Sequence, residues 1–267
     1  MRILLNYRYS LAPVTTAYYL ERAILADSSL SVFRVGQDRV PCADLILNVE
    51  PCDRVITYPG IPCAYWEIDN HIHLGKSTDI YGAVDYLFVA QKYFSYLYPS
   101  GKTHVLPLAA DPDIHKLYAD EPVLFDIGFI GNDSYPRRRR LLEVLKQKYH
   151  CFFGNDIFGE EYARRLSSCR LLFNCSLNHD VNMRFFESMS IGRLLLSDYL
   201  GCQDALAKSG VHYVAYSGEI DLLELVDYYL NHEKEREKIA SAGAAYIRAK
   251  HTYAHRLEEI LRVCNFY

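Results

Sequence analysis

The richest chemistry in a short span lies in NHDVNMRFFESMSIGRLLLSD, residues 178–198, which follows the apolar run RLLFNCS and leads into a second apolar run. Asn178, His179 and Asp180 precede a helical pattern. Asp180 or Asn178 can cap that helix, so that free backbone amides and the positive end of the dipole are available to an anion. In a helix counted from there, Asp180, Arg184 and Glu187 stand at i, i+4 and i+7 on one face, with Val181, Phe185 and Met189 on an apolar one. A surface ion-pair ladder is the alternative use of the charged face. A second span, FDIGFIGNDSYPRRRR (125–140), ends a strand in a turn carrying Gly128 and Gly131 and opens a helix at Pro136, where proline suits the first turn. Arg137 to Arg140 then oppose the helix dipole by roughly 0.3–1 kcal/mol each. A bound diphosphate would offset this through one or two guanidiniums; a solvated basic turn paired with nearby acids is the alternative, and it holds for at least two of the four. A third span, YWEIDNHIHLGKS (65–77), runs from a strand into a polar turn with Glu67, Asp69, His71 and His73. These are general-base candidates, Asp69 either orienting a histidine or acting directly. Capping of the turn by Asp69 and Asn70 is the structural alternative. The H-x-H spacing has no third ligand of the right kind nearby, so no metal site is expected.

These spans need a frame, and β-rich runs alternating with helical patterns supply a parallel sheet with crossover helices. In the first half the strands are RILLNY, LSVFRV, ADLILNV, CAYWEI, DYLFVA and THVLPL, with helices at 15–26 and 92–98. The polar, proline-flanked segment DPDIHKLYADEP (111–122) reads as a linker, its Asp111-Pro112-Asp113 as a turn. A fresh series follows: strands FDIGFIG, HCFFGN, RLLFNCS, RLLLSDY and HYVAY with helices PRRRRLLEVLKQKY, EEYARRLSS, VNMRFFESMSI and DALAKS between them, then helices to the end. The expected fold is therefore α/β, with two Rossmann-like domains facing a central cleft. The domains are 1–110 and 123–250, joined by the linker, with a terminal helix at 251–267 returning toward the first domain. Hydrophobic residues at 50% and charged residues at 23% of 267 exclude a disordered chain. A net charge of −4 leaves no global pull toward nucleic acid or anionic lipid, so any anion site is local. The eight cysteines include no C-x-x-C pair and several sit in apolar runs, as reduced thiols of a cytoplasmic protein do. No run of about 18 apolar residues is present, so no transmembrane segment is expected. The lone Gly-x-x-Gly turn and the glycine-free NYRYSLAP disfavour a dinucleotide site.

The string LNHDVNMRFFESMSIGRLLLSD, with FDIGFIGN and LPLAADPDIH before it and HTYAHRLEEIL after it, resembles the CgeB-like, spore-maturation-type glycosyltransferases of the GT-B fold. The resemblance covers residues 62 to about 262, and it makes 1–110 the acceptor domain and 123–250 the donor domain. It implies a metal-independent transfer of a sugar from a nucleotide-diphosphate donor to a glycan, lipid-linked, protein or small-molecule acceptor, with no tightly bound cofactor. A UDP-sugar is the first choice of donor, GDP- and dTDP-sugars the others. Glu187 matches the family's ribose-binding glutamate. The place eight residues earlier, where many relatives carry a second glutamate, holds His179, beside Asp180. The backbone around Val181, Asn182 and Met183, together with Arg184 and either Arg137 or Arg138, falls near the diphosphate; Gly131 and Asn132 lie in the adjoining turn, Asn178 opens the anion loop, and Gly154 and Asn155 fall where the base sits. For an inverting reaction the base is sought at Asp69, His71 or His73. The C-terminal helices would pack back across the cleft. The competing functions are a nucleotide-sugar epimerase or hydrolase, and a non-catalytic nucleotide- or glycan-binding module.

Overall fold

The protein, described here from a computed structural model, is defined over residues 1–13, 15–35, 42–74 and 78–266. Residues 75–77 of the third span lie outside these. The chain divides into two compact units, one made of Met1–Ala109 with Tyr253–Tyr267 and the other of Ala110–Thr252.

The first unit is built on a parallel sheet of β1 (Arg2–Asn6), β2 (Ser31–Arg34), β3 (Leu45–Val49), β4 (Cys63–Glu67), β5 (Tyr86–Val89) and β6 (Thr103–Val105), in the order β2-β1-β3-β4-β5-β6. Every residue of β3 and β4 is buried, as expected of strands covered on both faces. Helix α1 (Thr16–Ala26) starts where the Thr15 hydroxyl accepts the Tyr18 amide at 3.4 Å. After β4 come two short helices, α2 (Asn70–His73) and α3 (Thr78–Ala83), where the sequence suggests only a turn. The helix expected at 92–98 is a 3₁₀ turn, Lys92–Leu97, because Pro99 pushes Tyr98 out of the helical region.

The second unit carries β7 (Phe125–Ile130), β8 (Cys151–Gly154), β9 (Cys169–Asn174), β10 (Leu194–Asp198) and β11 (Val214–Tyr216), all parallel, in the order β11-β10-β9-β7-β8. Its helices are α4 (Pro136–Lys148), α5 (Gly159–Ser167), α6 (Met183–Ile191), α7 (Glu219–Asn231) and α8 (Glu233–Lys250). Segment 111–122 belongs to this unit: Asp111 Oδ1 accepts the Asp113 amide within its turn, Ser167 Oγ accepts the Tyr118 amide, and Ile114, His115 and Tyr118 are buried. The expected helix DALAKS is a 3₁₀ turn, Cys202–Ala205, because the Gln203 side chain turns inward to bond Leu200 and Asp198. Gly243 of α8 runs so close to the chain at His212 that a Cβ there would lie 2.2 Å from a carbonyl oxygen. The last helix, α9 (Tyr253–Val263), returns to the first unit. It packs on α1, with Tyr253 stacked on Tyr19, and Arg256 donates to the carbonyls of Pro107 and Leu108 at 2.7 and 3.0 Å. Among the described residues no helix is long and apolar enough to cross a membrane.

Candidate functional site

In the second unit β7 and β9 are neighbours, yet β7 is followed in sequence by β8 on its other side, so the connections diverge between them. Such a switch point opens a crevice at the carboxyl ends of the strands. Arg184, in the first turn of α6, bridges those two ends: its Nε donates to the Ile130 carbonyl at 2.8 Å, and its Nη1 to Asn174 Oδ1 at 3.0 Å. The guanidinium also lies 4.5 Å above the Phe129 ring. Gly131 is what lets it in. The residue sits at φ +151°, and a Cβ would fall 1.9 Å from Arg184 Nη2.

The four arginines of α4 divide by direction, as consecutive helical positions must. Arg138 is buried and spends its donors on carbonyls, Nε and Nη2 on Cys175 and Nη1 on Asn132, which ties the 131–135 loop to the end of β9. Arg140 pairs with Glu219 at the surface, and Arg139 reaches back to the carbonyls of Asp133 and Ser134. Arg137 is half-exposed, with Nη1 2.7 Å from Asp198 Oδ2 at the end of β10. That carboxylate also accepts the Ser176 amide and hydroxyl. The protein itself thus offsets the cations at the start of α4.

The loop before α6 differs from the expected cap. Helix α6 starts at Met183, and its cap is Asn182, whose Oδ1 accepts the Phe185 amide at 3.2 Å. Asp180 and Val181 therefore precede the helix, and no Asp180–Arg184–Glu187 face exists. Asp180 instead closes the 177–180 turn, accepting the Leu177 amide while its own amide donates to the Leu177 carbonyl. Burial pushes its carboxyl up to about 6, against the Leu177 amide and the charges of Arg138 and Arg184. Asn178 and His179, both exposed, stand at φ +48° and +59°, a left-handed pair of the kind that collects at ligand loops. Asn182 Nδ2 is buried without a hydrogen-bond partner among the described residues, a donor facing no protein acceptor. Met183 and Asn182 are half-buried at this helix end. Beside β7, the Gly154 carbonyl accepts the Gly131 amide at 2.9 Å, and Asn155 is exposed next to it. Asn132 is also exposed, its Oδ1 held by Ser134.

Glu187, one turn into α6, is buried. Burial pushes its carboxyl up to about 7, while the Arg184 charge and the Tyr162 hydroxyl pull it down. The same burial lowers the Arg184 guanidinium, with the acids beside it acting the other way. On the far side, His115 Nε2 stands 3.4 Å from Glu187 Oε1.

The first unit gathers its own acid–imidazole cluster at the ends of β3 and β4. Glu50 is buried, accepting the Ile68 and Asp69 amides on Oε2 at 2.7 and 2.8 Å and facing His73 Nδ1 from Oε1 at 2.7 Å. Glu67, fully buried, accepts hydroxyls of Tyr81 and Tyr98 at 3.0 Å each. Burial raises both carboxyls. His71 faces inward, and burial lowers its imidazole; His73 remains partly exposed. Asp69 begins α2 through its backbone only, and Asn70 does not cap but clamps Gln91 through both ends of its amide. Glu50, His115, Tyr162, Ser176 and Asp198 are missing from the sequence reading. Glu50 and Asp198 carry a usable signal, a carboxylate directly after or at the end of an apolar strand run, as in LILNVE and RLLLSD.

Residues 123–262, just over half of the sequence, match the glycosyl transferase-like family. The chain belongs to that family. No curated protein matches it by sequence. Solved structures of similar length are similar to this glycosyltransferase. An α-glucosyltransferase in complex with UDP superposes with a TM-score of 0.72 at 8% identity, covering 99% of this chain and 100% of that one. HepE of Anabaena in complex with UDP gives 0.68 at 12%, covering all of both chains. Sucrose-phosphate synthase of Thermosynechococcus elongatus gives 0.67 at 10%, covering 98% of each. At these identities the likeness is one of fold, and the fold is GT-B: two Rossmann-like α/β domains with parallel sheets.

Proposed function

We propose that this glycosyltransferase uses a UDP-sugar, held by the second unit at the carboxyl ends of β7, β9 and β10. The observation that carries this is Glu187, a buried carboxylate one turn into a helix whose first amides and unpartnered Asn182 Nδ2 stand at the switch point. It is the arrangement a nucleoside diphosphate needs, an acceptor for ribose hydroxyls beside donors for phosphate. Structures sharing the fold hold UDP, and in HepE also UDP-glucose, which favours uridine. The α6 amino end, Arg184 and Arg137 supply positive charge for the leaving diphosphate, so the transfer runs without a divalent cation. Asn178 and His179 at the loop tip face the sugar, and Gly154 with Asn155 the base. Arg138 supports the loop from behind. The string LNHDVNMRFFESMSIGRLLLSD supports a CgeB-like subtype, and eight free thiols support a cytoplasmic setting.

Inversion at the anomeric carbon needs a base for the acceptor hydroxyl, and of Asp69, His71 and His73 the chemistry favours His73, a partly exposed imidazole whose Nδ1 is 2.7 Å from Glu50. Asp69 and His71 then frame α2.

The deciding experiment is calorimetry with UDP on Glu187→Ala, in the presence and absence of EDTA. Loss of a hydrogen bond to a charged acceptor, about 1.5–3 kcal/mol, weakens UDP by roughly ten- to a hundredfold. An unchanged affinity removes the donor assignment; a requirement for the cation removes the metal-independent part.

A further inference from the structure

His115 lies in the segment that reads as a linker, yet it is 1% exposed and fixed on every side. Its Nδ1 accepts the backbone N–H of Asp111 at 3.1 Å. A ring nitrogen that accepts an N–H carries no proton, so in the neutral imidazole the proton is on Nε2, the atom 3.4 Å from Glu187 Oε1. The backbone around it is equally fixed. The His115 carbonyl accepts the Ser190 hydroxyl of α6 at 2.6 Å, and the ring meets Tyr162 of α5 edge-on at 6.0 Å. The turn itself is closed by the Ile114 and His115 amides on the Asp111 carbonyl. A donor nitrogen of set tautomer and set position therefore stands beside one oxygen of Glu187. At 3.4 Å the pair is in ion-pair contact just beyond ordinary N–H···O length, as such contacts often are before a ligand seats and draws them in.

We propose that His115 is a positioning residue for the donor site: its Nε2–H orders the Glu187 carboxylate and thereby sets the preference for a nucleotide with ribose hydroxyls over one lacking them. This rests on the reading of Glu187 as the ribose contact. The physical basis is that an acceptor built to bond a hydroxyl is left unpaired by an analogue without one, and it discriminates only as well as it is oriented.

The test measures Kd for UDP and for 2′,3′-dideoxy-UDP on the full chain, comparing the native protein with His115→Asn, His115→Gln and Glu187→Ala. Melting curves confirm that each variant is folded. The amide nitrogen of glutamine reaches the place of Nε2, whereas that of asparagine stops short. The native protein is expected to prefer UDP by at least about tenfold, His115→Asn to lose most of that preference by weakening UDP alone, and His115→Gln to keep it. A His115→Asn variant that keeps the native ratio, or that weakens both nucleotides equally, overturns the proposal while Glu187→Ala still abolishes the ratio. A Glu187→Ala variant that keeps the native ratio overturns the donor reading as well, and His115 falls with it.

Discussion

Glu187 carries a proton equilibrium in the working range of pH, and its direction has consequences for both stability and binding. The carboxyl ordinarily titrates at 4.5 and is pushed up to about 7 in the folded protein. Between those values the folded state holds the extra proton, so ionising the group as pH rises through that window lowers stability. Glu187→Gln should flatten the decline, read as urea midpoints at pH 5 and pH 7.5; an equal decline in the variant means the group titrates normally. Binding runs the opposite way. UDP-glucose, whose diphosphate does not titrate here, should bind more tightly as pH rises through 7, and Glu187→Gln should erase that limb. In the first unit, His73→Gln should abolish transfer without changing UDP affinity; retained turnover would make the Glu50–His73 pair a structural clamp for α2. Glu187 enters the sequence reading through the family resemblance of its string, since by spacing alone it belongs to a charged face that a surface ladder would explain equally. His115 does not, since its importance comes from a backbone amide and a partner 72 positions away.

At the scale of elements, central strands such as β3 and β10 are readable because each is a short apolar run between polar breaks, and a doubly covered parallel strand leaves no other pattern. The boundaries that fail are those decided by a single side chain. The entry to α6 turns on Asn182 capping in place of Asp180, and Asp180 is drawn away by the Leu177 amide, a choice that spacing does not reveal. Asn182→Ala should cost about 1 kcal/mol in stability from the lost cap and should also weaken UDP, because Nδ2 goes with it. Asp180→Asn should disturb the turn and leave the cap. Gly131→Ala meets both a forbidden backbone angle and Arg184, whose guanidinium is held at two points and cannot swing away freely. Its UDP affinity should drop, and a simultaneous Arg184→Ala should recover part of the stability loss, as urea denaturation of the double variant would show.

For the whole molecule, the division into two units was legible as two successive α/β series, while the seam was not: segment 111–122 looks like a linker because its composition is polar, although its buried Ile114, His115 and Tyr118 bind it into the second unit. Separate units predict separable responses. UDP should raise the melting transition of the second unit. Arg256→Leu, which leaves the Pro107 and Leu108 carbonyls without their donor, should destabilise the first unit by about 1–3 kcal/mol and so lower its melting transition. A variant in which UDP and Arg256→Leu act on the same transition would show the units to unfold as one. The position of α9 matters also for how the chain is made. A ribosome delivers Met1–Ala109 first, but that unit lacks the helix that covers α1 until all of Ala110–Thr252 has been synthesised, on the order of ten seconds later. The later-born unit is thus complete first, and the nascent amino-terminal sheet waits with the Tyr19 face of α1 uncovered, a surface that a chaperone would have reason to hold.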